Sequence, residues 1–154
     1  MKTKKTGIVE QLKEKHKERL AQAQEELKKR RATTRSDSYL SDLLLFSKWA
    51  YRVGKGWYGF SLGDVPSVWT DMLDEFLSWL ETQCPDFEIH QVKIKLGGLR
   101  LYLGTKTDIV IPDEAIRSEI SQLQNLLRTP QNIRNIQASI RAARKKRQKH
   151  SRKS

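Results

Sequence analysis

The side chains of this sequence best suited to chemistry are its clustered lysines and arginines, which can neutralise phosphate groups. Residues 1–35 carry twelve Lys or Arg against five acids, and residues 128–154 carry ten and no acid. Residues 36–127 carry eight against thirteen. Two cationic segments on a mildly acidic body are typical of a protein that binds a polyanion, and the commonest such partner is nucleic acid.

A second group of cations lies in the alternating stretch 88–103. Lys93, Lys95 and Arg100 alternate there with aliphatic residues, and Tyr102 adds a ring able to stack on a base. We predict that this group and the terminal cations bind nucleic acid with little sequence preference. The predicted set is Lys28, Lys29, Arg30, Arg31, Lys93, Lys95, Arg100, Tyr102, Arg134, Arg141, Arg144, Lys145, Lys146, Arg147, Lys149 and Arg152.

Each of these surfaces has a second interpretation. The C-terminal run can be a solubilising tail, and the cationic strands can be the wet outer face of a sheet, or be covered by an acidic or N-terminal helix. The functional alternatives are a structural or adaptor protein, such as a phage or assembly component, that binds acidic protein surfaces, and a small metal-dependent nuclease.

The nuclease alternative rests on one weak motif. Pro85-Asp86 followed by Gln91-Val92-Lys93 is similar to the pattern in which carboxylates hold magnesium and a lysine orients water. The gap between Asp86 and Gln91 is short for a nuclease of this type, and no second metal ligand is evident. Residues 54–59 fit GxGxxG, but they follow a predicted helix and do not open another, which argues against dinucleotide binding.

The remaining reactive residue types are isolated. Cys84 is the single cysteine, so neither an internal disulfide nor a cysteine-based zinc site is expected. His16, His90 and His150 are far apart and form no recognisable ligand or triad pattern. We therefore expect no enzymatic activity and no cofactor. No apolar run approaches about 20 residues, so we expect no membrane partner and a cytoplasmic protein, in a bacterial host cell or associated with a virion.

Helices and a hairpin must position these residues. The segment from Gly7 to Arg31 has helical composition and a thin apolar stripe that His16 interrupts, so it either docks on the body or joins a weak coiled coil. Asp37 can cap a second helix that ends near Gly54. A third helix follows Pro66 and ends near residue 83. Its predicted core face is Val65, Trp69, Met72, Leu73, Phe76 and Leu80, with Asp71, Asp74 and Glu75 opposite.

Two alternating runs flank Gly97-Gly98, which predicts a β-hairpin turning at these two glycines. That turn pairs Leu96 with Leu99, Ile94 with Leu101, Val92 with Leu103, Lys95 with Arg100 and Lys93 with Tyr102. We predict a third strand at 107–111. Pro112-Asp113 then opens a helix that buries Ile116, Ile120, Leu123 and Leu127 and ends at Thr129-Pro130. A last helix carries Ile133, Ile136 and Ile140 into the basic run.

Part of this region resembles a known group. Gly56-Trp57-Tyr58, a helix, and then residues 91–102, QVKIKLGGLRLY, are similar to a pattern in small uncharacterised bacterial and phage proteins, Gly-Trp, helix, Gln-Val-Lys-Glu-Lys-Phe-Gly-Gly-Leu-Arg-Phe-Tyr. The resemblance covers about 50 residues and neither terminal segment. Ile94 replaces the pattern's Glu, and Leu96 and Leu101 replace its Phe residues. The resemblance implies the hairpin and a phage or mobile-element origin, and it implies no established activity.

These elements predict an α+β fold, a small antiparallel sheet packed on amphipathic helices with long basic helical extensions at both ends. The predicted division is a basic N-terminal helical arm at 1–35, a compact domain at 36–127 and a basic C-terminal arm at 128–154. The predicted function is a non-enzymatic, nucleic-acid-binding accessory subunit of a larger nucleoprotein assembly that includes a protein partner.

Overall fold

A small mixed sheet packed on helices forms the centre of the protein, which confirms the predicted α+β class. The computed structural model describes residues 7–29, 44–54, 59–62, 65–95, 97–129, 135, 138–139 and 141–148. The helices are α1 (Ile8–Lys15), α2 (Lys17–Lys29), α3 (44–49), α4 (Ser67–Gln83), α5 (Glu114–Leu126) and α6 (141–148), and a 3₁₀ turn spans Ala50–Arg52. The strands are β1 (Gly59–Ser61), β2 (Phe87–Lys95) and β3 (Gly98–Thr105).

The predicted hairpin is confirmed, but its predicted register is wrong by two residues. Val92 pairs with Leu101 rather than Leu103, and Ile94 pairs with Leu99. Because side chains alternate with a period of two, this shift leaves every side chain on its predicted face. One face of the hairpin is therefore still apolar, and it faces the core.

The turn explains the difference in register. Gly97 has a φ of 76°, whereas Gly98 is already the first residue of β3. The ladder closes on the pair Lys95 and Gly98, so the turn lies one residue earlier than predicted. Either glycine can adopt a positive φ, and the dipeptide alone does not determine which one does.

A β-bulge at His90 aligns the two halves of β2. It lies between the pairs that Ile89 and Gln91 form with β3. Without an extra residue, Phe87 and Val92 would point to opposite faces of the sheet. With it, both side chains are buried in the core.

The third strand is not the predicted one. Residues 106–113 form a loop, and β1 (Gly59–Ser61) takes the position beside β2 instead, parallel to it, with Phe60 opposite Val92. The sheet order is β1-β2-β3, so the sheet is mixed rather than antiparallel. A strand of three residues is too short to show alternation, which is why the sequence does not reveal it.

The amphipathic helix α4 supplies the centre of the core, as predicted. Its side chains Met72, Phe76, Leu77 and Leu80 have no exposed surface. Burying each such side chain contributes about 1.5–3 kcal/mol relative to leaving it in water. The opposite side of α4 carries carboxylates that bind cations from other segments.

The N-terminal helices α1 and α2 lie against this body. Their apolar residues Val9, Leu12, Ala23 and Leu27 belong to the same buried cluster as α4, and α1 contacts both α4 and α5. The docked alternative is thus the one observed within this chain. The division into two arms and a domain stays a prediction. The helices α1 and α2, which belong to the predicted N-terminal arm, share the core of the predicted domain.

The predicted helix α5 begins where Pro112-Asp113 placed it. The Asp113 carboxylate accepts hydrogen bonds from the N–H groups of Ala115 and Ile116, at 2.9 and 3.2 Å, which satisfies donors that a helix start leaves unpaired. Ile116 and Leu123 are buried as predicted. The helix covers the outer edge of β3, where Gln124 Oε1 accepts from the N–H of Leu101 at 2.8 Å.

The helix predicted from Asp37 is described only from residue 44 onward, and Asp37 lies outside the described residues. The sequence places Leu44 and Trp49 together on its apolar side, but Leu44 is 72% exposed, whereas Leu45 and Trp49 are buried. The chain then runs parallel to β2, where Gly54 donates to the carbonyl of Ile89 at 3.1 Å.

Candidate nucleic-acid interface

Four cations share the polar face of the sheet at the turn end of the hairpin. Lys93 pairs with Arg100, and Lys95 pairs with Gly98. Gly98 also forms an antiparallel bridge with Arg128 on its other side. Residues that pair directly across a sheet point to the same face, so Lys93, Lys95, Arg100 and Arg128 form one group, called here the cationic sheet face.

Strand geometry sets the size of this face. Neighbouring rows of side chains on one face lie about 6.6 Å apart along a strand, and neighbouring strands lie about 4.8 Å apart. The cationic sheet face therefore covers an area about 7 by 10 Å. Lys95, Arg100 and Arg128 are exposed and Lys93 is half-buried.

Tyr102 adds a ring beside these cations. It is 45% exposed, it pairs with Gln91 across the sheet, and Lys93 Nζ lies 5.6 Å from its ring centroid. The predicted pairing of Lys93 with Tyr102 is therefore wrong, because Lys93 lies opposite Arg100, but the two side chains still make contact diagonally. An exposed ring beside point charges is an arrangement that can stack a base while cations hold its phosphate.

No carboxylate of the described residues forms an ion pair with the cationic sheet face. Lys93 and Arg100 are directly opposite each other, and like charges in that position repel. The interpretation in which an acidic helix covers these strands fails for α4, because its carboxylates bind other partners.

The acidic side of α4 binds the N-terminal helices. Arg19 Nη2 donates to Asp71 Oδ2 at 2.6 Å, and both Lys15 and His16 bind the carboxylate of Glu75. His16 Nε2 lies 2.5 Å from Glu75 Oε2 and the residue is only 8% exposed. His16, which interrupts the apolar stripe, therefore makes a polar contact inside the interface between the N-terminal helices and α4.

These contacts change the acidity of Glu75. Burial alone raises the pKa of its carboxyl group, but the hydrogen bonds from Lys15 and His16 outweigh that effect and lower the pKa below its ordinary value. The carboxylate form is therefore the one that holds α1 and α2 on α4.

Cations of the segment 44–54 bind the rest of the acidic side. Asp74 accepts from Lys48 Nζ and from Trp49 Nε1, both at 2.8 Å. Glu81 accepts from Arg52 Nη2 at 2.8 Å and from the hydroxyl of Tyr51. The hydrogen bond from Tyr51, and then those from Arg52, lower the pKa of the Glu81 carboxyl group.

The C-terminal helix α6 is a second cationic surface. All its residues are exposed, including the predicted Arg141, Arg144, Lys145, Lys146 and Arg147. It contains no acid. A helix that buries nothing and carries five cations in eight residues presents charge to solvent on every side.

Several predicted binding residues are not placed by the structure. Lys28 and Lys29 belong to α2, but their side chains lie outside the described part of the chain. The same holds for the whole of Arg30, Arg31, Arg134, Lys149 and Arg152. The N-terminal cations that are described in contact with the body, Lys15 and Arg19, bind carboxylates.

The residues of the nuclease alternative lie apart. Asp86 immediately precedes β2 and Lys93 lies seven positions later in the chain, which at about 3.3 Å per residue separates them by up to about 23 Å. No group of three or more His, Cys, Asp or Glu residues in the described ranges could hold a metal ion. Burial, and then the hydrogen bond from its thiol to Asp86, raise the pKa of Cys84, which disfavours the thiolate.

Arg128 is the binding candidate that the sequence did not single out. It follows α5, and its place on the sheet depends on two hydrogen bonds, from Leu99 N–H to the carbonyl of Leu127 at 2.9 Å and from Thr129 N–H to that of Gly97 at 2.7 Å. No local pattern indicates a chain segment that joins a sheet for a single bridge.

No protein-family model, curated protein or solved structure matches this chain. No helix among the described residues has the length and apolar character needed to cross a bilayer.

Proposed function

We propose that this protein is a non-enzymatic nucleic-acid-binding subunit of a larger nucleoprotein assembly. The cationic sheet face and α6 contact phosphates, and Tyr102 stacks on a base. The observation that carries the proposal is the cationic sheet face itself, four neighbouring cations with no ion-pair partner among the described residues. Bound phosphates relieve the repulsion between these cations and release counterions on binding.

The shape of the site favours a single strand over a duplex. Tyr102 is on the open face of the sheet and is 45% exposed, so its ring can meet an unstacked base but not the stacked bases of a duplex. Stacking on an aromatic side chain tolerates every base. The proposal therefore includes little sequence preference.

The two ends of the chain have different roles in this proposal. Lys15, His16 and Arg19 are engaged with Asp71 and Glu75, so these three side chains stabilise the body rather than contact phosphate. The exposed cations of α6 extend the binding surface beyond the sheet.

Two altered proteins separate the contributions. One is the triple variant Lys95→Gln/Arg100→Gln/Arg128→Gln, and the other lacks residues 141–154. Fluorescence anisotropy with labelled single-stranded DNA, single-stranded RNA and duplex DNA measures each dissociation constant. We expect both to weaken single-strand binding by about tenfold or more at about 0.1 M salt.

The matched control is Lys13→Gln/Lys17→Gln/Lys106→Gln, which removes the same charge from exposed lysines elsewhere on the surface. Its dissociation constant for single strands should lie within about threefold of that of the unaltered protein, because salt screens charges that lie far from the bound strand. Equal weakening of the control and the triple variant would contradict a localised site.

A further inference from the structure

A groove beside β3 is lined by residues of β2, β3, α5 and the loop between β3 and α5. Its volume is about 740 Å³, within the range of about 300–1,000 Å³ that is typical of ligand-binding clefts. The lining is mainly aliphatic, including Leu103, Ile109, Val110, Ile111 and Ile120, and its polar residues include His90 and Gln91 of β2. Tyr102 belongs to both this groove and the edge of the cationic sheet face.

Two adjacent aliphatic side chains at this groove are left in solvent. Ile109 is 87% exposed and Val110 is 57% exposed, whereas the next residue, Ile111, is only 1% exposed. Large aliphatic side chains left exposed beside an apolar groove are typical of an interaction surface, because a protein without a partner gains stability by burying them.

Hydrogen bonds hold the loop that presents this pair. Thr105 N–H donates to the carbonyl of Asp108 at 2.9 Å, and Asp108 N–H donates back to Thr105 Oγ1 at 3.0 Å. The buried Ile111 anchors the other end. The exposed pair is therefore pre-positioned, which lowers the ordering cost of a contact made there.

The charge at the groove selects among occupants. Arg117 lines the groove and is exposed, and it forms no ion pair with a carboxylate of the described residues. The part of the lining that the structure describes includes Arg117 and no carboxylate, so a second copy docked symmetrically would bring two Arg117 side chains together, whereas an acidic segment meets a complementary charge.

We infer that this groove is a docking site for an acidic, amphipathic segment of a partner protein. Aliphatic side chains of that segment fill the groove and cover Ile109 and Val110, and one of its carboxylates binds Arg117. This mode of recognition, an amphipathic peptide in an apolar groove, uses aliphatic contacts and Arg117 rather than the four cations of the cationic sheet face. It supplies the protein contact that an assembly subunit needs.

The experiment is a selection of a random peptide display library on the full chain, compared with the variant Ile109→Ser/Val110→Ser. This variant keeps the net charge, so binding of acidic peptides to the basic segments cancels in the comparison. Because both side chains are exposed, the fold should remain, and circular dichroism checks it. Leu44→Ser, at another exposed aliphatic residue, is the matched control.

We expect peptides that combine aliphatic residues with Asp or Glu, that bind Leu44→Ser like the unaltered protein, and that bind the double variant at least about tenfold more weakly. Arg117→Glu should weaken the same peptides further. Selection of the same peptides by the double variant would overturn the inference. So would a concentration-dependent dimer that the double variant abolishes, since the occupant would then be a second copy.

The two proposals fail separately. Loss of oligonucleotide binding in Ile109→Ser/Val110→Ser would place nucleic acid, rather than a peptide, in the groove and would overturn the docking inference alone. If Lys95→Gln/Arg100→Gln/Arg128→Gln bound oligonucleotides like the unaltered protein, the proposed function would fail and the peptide result would not change.

Discussion

Gly98 brings Arg128 onto the sheet. The two residues form an antiparallel bridge, and a Cβ on Gly98 would lie 3.3 Å from the Cβ of Arg128. The absence of a side chain at Gly98 lets the segment after α5 approach β3 closely. The row of residues paired across the sheet therefore runs from Lys95 through Gly98 to Arg128. Arg128 adds a cation from the segment after α5 to the hairpin.

Replacing the Tyr102 ring tests stacking. We expect Tyr102→Ala to weaken single-strand binding by about 1–3 kcal/mol, the usual contribution of one stacked base. Tyr102→Phe keeps the ring and should bind like the unaltered protein. Anisotropy titrations of the two variants give the comparison, and equal losses in both would show that the hydroxyl, not the ring, makes the contact.

Acidification should weaken the attachment of the N-terminal helices to α4. The folded pKa of Glu75 lies below its ordinary value of 4.5. Its contribution to stability is therefore fully present above that value and is lost as the pH falls through the folded pKa. We expect Glu75→Gln to lower the free energy of unfolding by about 1 kcal/mol at pH 7, with a smaller difference from the unaltered protein at pH 3.

Urea unfolding at the two pH values measures this effect. The control is Glu14→Gln, which removes an exposed carboxylate of α1. If Glu14→Gln and Glu75→Gln had the same pH dependence, the contact of Glu75 with Lys15 and His16 would not be what couples α1 to α4.

A methyl group at Gly104 should disturb the loop that ends the hairpin. Its Cβ would lie 2.5 Å from the carbonyl oxygens of Asp108 and Ile109 and 2.7 Å from His90 Nε2. We expect Gly104→Ala to destabilise the protein by about 1–3 kcal/mol, a typical cost of overpacking. Gly98→Ala, with its closest contact at 3.3 Å, should cost less in the same urea measurement. The reverse order would contradict the packing described around His90.

The sequence predicts best what depends on regular spacing. Trp69, Met72, Phe76 and Leu80 recur at helical intervals, and all four are buried in α4. The start of α5 was equally clear, because Asp113 provides a capping carboxylate at the right position. These features depend on neighbours in sequence, so a local pattern is enough to reveal them.

Features that depend on distant parts of the chain were missed or misplaced. The parallel strand β1 has only three residues, and the bulge at His90 breaks the alternation in a way that local pattern does not show. The docking of α1 depends on Glu75, 59 positions from His16. Arg128 joins the cationic sheet face only because a segment after α5 pairs with Gly98.

The salt dependence of binding tests the central claim most directly. The slope of log K against log salt concentration is negative, and each phosphate contact to a single strand contributes about 0.7 to its magnitude. We expect Lys95→Gln/Arg100→Gln/Arg128→Gln to reduce that slope by about 2, and Lys13→Gln/Lys17→Gln/Lys106→Gln to leave it nearly unchanged. Identical slopes for the unaltered protein and the Lys95/Arg100/Arg128 variant would mean that the cationic sheet face does not contact phosphate.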